Sequence, residues 1–212
     1  AKEFKIDPIA GVEFSHIPSV IGSMQKRHGL IIEQAILLAV DALPNYSAWA
    51  IPDFKVSRDA TTLVARVNNV KLNPDWLPIL EQNLAYGEKD KTLQIDVMAF
   101  NRDTGGLKAL EIKRGYSSHD AGKKKSILKD TLCVQMLLSS YGKSEGLDVT
   151  GAEAKICNYY KSPEFHDRIS INKDLLNDFF GGEVLGPVEE VNHYFRDRVH
   201  SLLRSTDTQT LD

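Results

Sequence analysis

Asp96, Glu111 and Lys113 are the residues of this chain whose types and spacing best suit chemistry on a phosphate group. Asp96 stands in the apolar run of residues 93–100, and Glu111 and Lys113 stand two positions apart in a second apolar run, residues 107–113. Carboxylate oxygens bind magnesium, which stabilises charge developing on a phosphate and lowers the pKa of bound water. A neighbouring lysine orients that water or helps to deprotonate it. The combination favours hydrolysis of a phosphodiester.

The two apolar runs flank turn-forming residues 101–106, a pattern that predicts a β-hairpin with an extended loop. If Phe100 pairs with Leu107, continuing the register places Asp96 directly opposite Glu111. Carboxylates that face each other across a strand pair repel, and the pair is destabilising unless a cation lies between them. The hairpin therefore predicts a cation site where these two side chains meet.

Alternation along the second strand places Glu111 and Lys113 on one face and Leu110 and Ile112 on the other. Two carboxylates and a lysine would then project from one small patch. The residues leave a second interpretation open, in which the two carboxylates face solvent and form ordinary salt bridges with Lys113 and Lys108. A metal site and a solvated strand surface are thus the two alternatives.

The segments Ile95-Asp96 and Leu110-Glu111-Ile112-Lys113 resemble the signature hairpin of the PD-(D/E)XK nuclease superfamily, with Ile95 in the place of the nominal proline. The resemblance extends over about residues 19–160. It implies a restriction-endonuclease-like α/β fold, a central mixed β-sheet flanked by helices. It also implies Mg²⁺ as cofactor, with Mn²⁺ able to substitute, Asp96 and Glu111 as metal ligands, and Lys113 as the residue that positions the nucleophile.

In that superfamily a helix before the sheet often supplies a further acidic residue, and Glu33 is the matching position here. The resemblance therefore implies that Glu33 is a third catalytic residue and metal ligand. Glu33 lies in the strongly apolar segment 30–40, where a carboxylate is costly to bury unless it is paired or bound to metal. A buried structural ion pair, for example with Lys26, is the alternative.

The bare pattern Glu-x-Lys is a weak signal, because the chain contains it three times, at Glu3-Phe-Lys5, Glu111-Ile-Lys113 and Glu153-Ala-Lys155. Asp148 precedes the third copy, but the short connection contains Thr150 and Gly151 and leaves no room for a separate strand. We therefore expect the second copy to carry the chemistry.

The elements that must position these residues alternate between helices and strands. Helices are predicted over residues 19–43, after Asn73-Pro74 to about Gly87, from a cap at Ser117 or Ser118 to about Tyr141 with Gly142 as the stop, and over 173–180 and 188–204. Strands are predicted over residues 62–70, 93–100, 107–113, 152–160 and 168–171. The order predicts a single α/β nuclease domain over 1–212, with its core in 19–160 and a C-terminal helical extension in 172–204.

The composition is that of a globular protein, with 42% hydrophobic and 26% charged residues. Cys133 and Cys157 fall in apolar segments, which predicts buried reduced thiols. The six histidines show no spacing typical of a zinc site. We expect a cytoplasmic protein with no membrane partner, because neither a membrane-spanning run nor a signal-peptide core is found.

The charge is unevenly distributed, since residues 108–129 contain seven basic residues and two acidic ones, while the whole chain has a net charge of −3. A local basic stripe suits a phosphate-binding edge, although a solvated helix face explains it equally well. The residues expected to contact nucleic acid are Arg114, Lys123, Lys124, Lys125 and Lys129. Gln135, farther along the same predicted helix, either touches substrate or metal-bound water or is simply a polar helix residue.

These features favour a metal-dependent DNA endonuclease of the type II restriction class. Cutting both strands needs two active sites, so a homodimer is expected. Sequence specificity would come from residues 45–58, 73–90 and 162–168. The alternatives are a structure-selective repair or Holliday-junction-resolving nuclease and, in another class, a catalytically silent nucleic-acid-binding domain of the same fold. A glycosidase carboxylate pair is disfavoured, because the adjacent lysine would lower the pKa that a general acid needs.

Overall fold

A five-stranded mixed sheet forms the centre of the computed structural model, which describes residues 17–67, 76–115 and 120–207 together with Pro8, Gly11 and Ser15. Its strand order equals the chain order. The first three strands are antiparallel and the last three are parallel. The predicted α/β class with a mixed sheet is confirmed, and the strands are β1 Tyr46–Val56, β2 Lys91–Asn101, β3 Gly106–Lys113, β4 Gly151–Asn158 and β5 Ser170–Asn172.

Helices cover both faces of this sheet. They are α1 Ile17–Asp41, α2 Arg58–Ala65, α3 Ala121–Ser144, α4 Leu176–Phe180 and α5 Leu185–Asp207, with short 3₁₀ helices at Leu77–Glu81 and Lys173–Leu175. The parallel pair β3 and β4 requires a crossover connection, which α3 provides. None of the helices in the described part of the chain is long and apolar enough to cross a membrane.

Two hydrophobic cores result, one on each face. The first joins α2, the 3₁₀ helix Leu77–Glu81 and α3 to the sheet, and the second joins α1, α4 and α5 to the opposite face. Along β3, Ala109 enters the first core, whereas Leu110 and Ile112 enter the second. Glu111 and Lys113 therefore face the first side, which confirms the predicted alternation. Both cysteines are buried unpaired thiols, as expected.

The β2–β3 hairpin has the predicted register, with Phe100 paired to Leu107 and the ladder continuing to the pair Val97 and Leu110. Its turn is stabilised by Asn101, whose side-chain oxygen accepts hydrogen bonds from the amides of Asp103 and Thr104, both at 3.0 Å. Turn chemistry and strand alternation are local properties, and for that reason the hairpin was predictable.

Two predictions about the first half of the chain are wrong. Within the strand predicted over residues 62–70, residues 62–65 are instead the end of the helix α2, because Ser57 caps that helix at the Ala60 amide and Ala60 and Val64 bury one helical face. Arg66 and Val67 follow the helix and form no strand. Residues 68–70 lie outside the described residues. The segment 45–58, a candidate for the loops or insertions that would give specificity, is mostly the edge strand β1. Its Pro52 is tolerated because this edge strand is irregular.

The start of α3 also differs from the prediction. Its N-cap is Asp120, whose side chain accepts the Lys123 amide at 2.9 Å. The expected caps Ser117 and Ser118 lie outside the described residues, as does Asn73-Pro74, the predicted start of another helix.

The end of α3 differs because Gly142 is inside the helix and does not stop it. A Cβ at Gly142 would lie 2.5 Å from Val149 Cγ2 and 2.7 Å from Leu107 Cδ2, so this glycine allows close packing of the helix on the sheet. The helix ends at Ser144, and Gly146 follows with a φ of 79°.

Candidate active site

A β-bulge in β2 lies at the centre of the candidate site. Between the pairs Trp49–Met98 and Ile51–Ile95, β2 contains one more residue than β1. Such a bulge bends the strand and re-aims its side chains. Ile95 and Met98 consequently share the first core although they are three residues apart. The residue that the bulge re-aims is Asp96.

Asp96 is held by hydrogen bonds, one of them from the neighbouring strand, and is only 8% exposed. Its Oδ2 accepts a hydrogen bond from the Ile112 amide at 2.7 Å, and its Oδ1 accepts one from Gln94 Nε2 at 3.3 Å. The backbone ladder ends one pair earlier, at Val97 and Leu110. The expected direct opposition of Asp96 and Glu111 in the ladder is therefore not formed, because the Asp96 side chain takes the place of a backbone partner.

Glu111 and Lys113 form an ion pair at the C-terminal end of β3, between Glu111 Oε1 and Lys113 Nζ. Their side chains are 29% and 26% exposed, so the pair is reachable from solvent. Glu111 also borders an open cavity of about 200 Å³ between the sheet and α3. The site is thus a partly exposed polar patch beside an apolar groove.

Glu33 reaches the same neighbourhood from α1. Burial raises the pKa of its carboxyl to about 7, with a further rise from the charges of Asp96 and Glu111 and a partial offset from Lys113. After burial, the charges of Asp96, Lys113 and Glu111 have the largest effects on the pKa of Glu33. The structure therefore brings Glu33 into the electrostatic environment of the other three predicted residues.

The group has more acidic side chains than basic ones, and all of them are at least partly buried. Burial raises the pKa of Asp96, although the Ile112 amide and Lys113 oppose the shift. Burial also raises the pKa of Glu111, where Lys113 opposes the shift and Asp96 adds to it. Burial alone would lower the pKa of Lys113, but the surrounding carboxylates Glu111, Asp96 and Glu33 raise it. One ammonium group is shared among three carboxyls, so a second cation would stabilise the cluster.

The donor set fits a hard cation, because all three acidic side chains offer oxygen. In the described part of the chain, no three His, Cys, Asp or Glu side chains form a ready-made metal cage. Mg²⁺ does not need such a cage, since it retains several waters and is usually held by one or two carboxylates and substrate phosphates. Asp96 and Glu111 are the two that would hold it.

Sequence reasoning missed Asp130, an acid on α3 whose charge further raises the pKa of Glu111. Asp130 lines the cavity and pairs with Lys91 at 2.5 Å. The available signal was helical spacing, because Ile127, Asp130 and Val134 recur on one face of α3 and line the same cavity.

Asn158 on β4 was also missed, although it is the register partner of Lys113 and is fully buried. Its Nδ2 donates to Ser170 Oγ at 3.2 Å, while its Oδ1 has no hydrogen-bond partner among the described residues. Residues paired in parallel strands share a face, so Asn158 places a polar group beside Lys113. The available signal was an asparagine at the end of an otherwise apolar strand.

The predicted basic residues are not gathered on one open surface. Arg114 Nε donates to His28 Nδ1 at 3.1 Å, Lys124 pairs with Glu164 at 3.6 Å, and Lys129 donates to the Ala65 carbonyl at 2.7 Å. Lys123 is exposed and Lys125 is half-buried. The basic stretch thus includes side chains with structural partners as well as an exposed lysine at the start of α3.

Gln135 has a structural role that resolves the two interpretations of this residue. Its Nε2 donates to the Ala152 carbonyl at 3.2 Å, and its Oε1 accepts the Ala154 amide at 2.7 Å. The Ile156 amide donates to the Ile169 carbonyl, on the side of the sheet edge where β5 lies. Amides two residues apart in a strand point the same way, so the Ala154 amide points to this edge as well. Gln135 therefore pairs with the part of β4 that the short strand β5 does not reach.

No protein-family model matches this chain, and neither a curated protein nor a solved structure matches it significantly. The resemblance to the PD-(D/E)XK superfamily consequently stays a prediction from the sequence.

Proposed function

We propose that this chain is an Mg²⁺-dependent endonuclease that hydrolyses phosphodiester bonds in DNA, built on a restriction-endonuclease-like version of its α/β fold. The observation that supports the proposal is that Asp96, Glu111, Lys113 and Glu33, near the bulged end of the β2–β3 hairpin, act on one another's pKa values. Their perturbed pKa values mark a partly exposed group whose negative charge exceeds its positive charge. Such clusters are concentrated at functional sites.

The chain's own groups have distinct roles in the proposed reaction. When bound, Mg²⁺ supplies charge stabilisation at the phosphate and makes water a stronger acid. Asp96 is held in orientation by the Ile112 amide, and Glu111 lies close enough to Asp96 for the charge of Asp96 to raise its pKa. Lys113 leaves its ion pair with Glu111 and donates to a phosphate oxygen or to the attacking water. Raised pKa keeps this ammonium protonated at neutral pH, which favours donation over proton abstraction.

Within endonucleases we propose a type II restriction enzyme that acts as a homodimer, because cleavage of both strands needs two such sites. Arg114 and Lys123 are the basic residues best placed to support DNA binding. Arg114 directly follows the catalytic lysine, and Lys123 is exposed at the start of α3.

The test is incubation of the purified protein with plasmid, linear and four-way-junction DNA, and with RNA, in magnesium. Discrete fragments from plasmid and linear DNA are expected. Selective resolution of the junction would replace the restriction assignment with a junction-resolving one. DNA binding without cleavage, in magnesium and in manganese, would identify a silent binding domain. The Lys113→Ala variant and a chelator are the controls, since a contaminating nuclease would survive the substitution.

A further inference from the structure

His28 on α1 lies in an aromatic and polar cluster that includes Arg114, the residue after Lys113, and His28 is only 7% exposed. Its ring stacks on Phe195 of α5, with centroids 4.9 Å apart and planes 7° apart. On another side it stacks on Tyr160, at 5.8 Å and 29°. The imidazole is therefore fixed between the C-terminal helix and the segment that follows β4.

The hydrogen bonds of His28 define its tautomer. Arg114 Nε carries a single hydrogen and no lone pair, so its 3.1 Å contact with His28 Nδ1 is a donation to the ring. The proton of the neutral imidazole is then on Nε2, which donates to Asn192 Oδ1 at 2.7 Å. The Tyr160 hydroxyl donates to the same Asn192 oxygen at 2.7 Å. Burial and the Arg114 charge lower the pKa of His28 despite the Asn192 bond, which keeps the ring neutral.

The backbone and the side chain of Arg114 are both held in place. Arg114 directly follows Lys113, and pairing continues beyond β3 and β4, where the Tyr160 amide donates to the Arg114 carbonyl at 3.1 Å. The guanidinium carbon lies 5.7 Å from the centre of the Tyr160 ring. Lys173 Nζ lies 6.0 Å from the same centre and pairs with Glu189 at 2.9 Å. Two cations thus contact one aromatic ring, and one of them belongs to the residue that follows Lys113 in the chain.

We propose that Arg114 binds the DNA phosphate next to the scissile one, and that His28 is its positioning residue. The inference rests on the proposed nuclease function and extends it to a second phosphate. A guanidinium suits this role because its planar donors match phosphate oxygens, and a plane fixed in advance loses less freedom on binding. Through Asn192 and Phe195, α5 becomes part of the active-site architecture.

A double-mutant cycle tests the inference, with DNA affinity measured in calcium at several salt concentrations and single-turnover cleavage measured in magnesium. Arg114→Ala should lower the salt slope by about 0.9, the value of one phosphate contact. His28→Ala should lower it in the same direction, and should have no further effect once Arg114 is alanine. His28→Asn keeps an acceptor near the Nδ1 position and should recover part of the loss.

Phe195→Leu is the matched control, because it removes a ring contact with His28 without removing a hydrogen bond. If His28 only attached α5 to α1, Phe195→Leu and His28→Ala would have the same effect on DNA affinity, and the inference would be overturned. Additive losses in the cycle would overturn it too. Thermal melts identify any variant that does not fold, and Asn192→Ala then replaces His28→Ala in the same cycle, with the same expectation.

Failure of the inference and failure of the proposed function give different results. A wild type that cleaves DNA but shows additive losses refutes the role of His28 alone. A wild type that neither binds nor cleaves any DNA refutes both.

Discussion

Two copies of the same pattern lie on adjacent parallel strands, Glu111-Ile112-Lys113 on β3 and Glu153-Ala154-Lys155 on β4. They are out of register, since Glu153 pairs with Lys108 and Lys155 with Leu110. They also face opposite sides of the sheet. Ala154 enters the first core, so the glutamate and lysine that flank it point to the second side, whereas Glu111 and Lys113 point to the first.

The β4 copy is satisfied by its own surroundings. Lys155 Nζ pairs with Glu153 at 3.2 Å and donates to the Asp167 carbonyl at 2.9 Å. The β3 copy instead shares its lysine with two further carboxyls, those of Asp96 and Glu33. The comparison teaches that the chemistry of Glu-x-Lys depends on the acids that neighbouring elements bring to it. The β3 copy differs from the β4 copy because it lies at the end of its strand, beside the bulge in β2.

Replacing each lysine in turn should give the largest difference between the two copies. Lys113→Ala should slow cleavage on the order of 10²- to 10³-fold, the effect of losing one preorganised donor at a developing charge. Lys155→Ala should leave the rate per folded molecule within about twofold, because Lys155, although it lines the same cavity as Glu111, is already paired with Glu153. Single-turnover cleavage at saturating magnesium measures both. Equal losses in the two variants would mean that the copies do not differ in function.

Metal-induced stabilisation separates the copies without any DNA. Magnesium and calcium should each stabilise the folded protein by about 2.7 kcal/mol at a hundredfold excess over the dissociation constant. Asp96→Asn and Glu111→Gln should lose this gain, and Asp96→Asn still offers an oxygen to the Ile112 amide. Glu153→Gln is the matched control and should retain it. Thermal melts with and without each metal provide the measurement, and a wild type indifferent to both metals, with and without DNA, would contradict the site.

Glu33 on α1 should make the stability of the folded protein depend on pH. The pKa of Glu33 is raised from 4.5 to about 7. The stability that its neutral form contributes is complete below pH 4.5 and is lost as the pH rises through about 7. Glu33→Gln should therefore match the wild type in acid and exceed it above pH 7, by roughly 1–2 kcal/mol after allowance for solvent screening.

Denaturant unfolding of the metal-free protein across this pH range measures the Glu33 effect. Glu189→Gln should behave in the opposite way, because hydrogen bonds from Tyr159 and Lys173 outweigh burial and lower the pKa of Glu189. The stability from Glu189 is present above its ordinary value of 4.5 and is lost as the pH falls through the lowered pKa. A Glu33→Gln curve parallel to that of the wild type would place Glu33 outside the cluster.

The smallest expected effect is on DNA binding by the basic residues at the start of α3, the helix that follows β3. Lys123→Ala should reduce the salt slope of DNA binding by about 0.9 if this exposed lysine contacts a phosphate. Lys129→Ala should change the slope less, because its ammonium donates to the Ala65 carbonyl. Equal slopes in wild type and Lys123→Ala would return this stretch to an ordinary solvated surface.

Local chemistry was enough to predict the hairpin, its Phe100–Leu107 register and the separation of Glu111 and Lys113 from Leu110 and Ile112. Alternation and turn residues act within a few positions of the chain, so the sequence records them directly. Similar local signals failed for α2 and β1, where a capping serine and an edge position outweighed residue preferences. The β-branched residues near Thr62 indicated a strand where the structure has a helix for this reason.

By itself, then, the sequence determined the candidate residues of β2 and β3 and the face on which two of them lie. Only the tertiary structure decided that β2 bulges at Asp96, that Glu33 and Asp130 approach from two different helices, and that Asn158 stands beside Lys113. These features depend on how distant segments pack on the two faces of the sheet. Packing is decided by the summed burial and hydrogen bonding of the whole fold, which no short window of sequence contains.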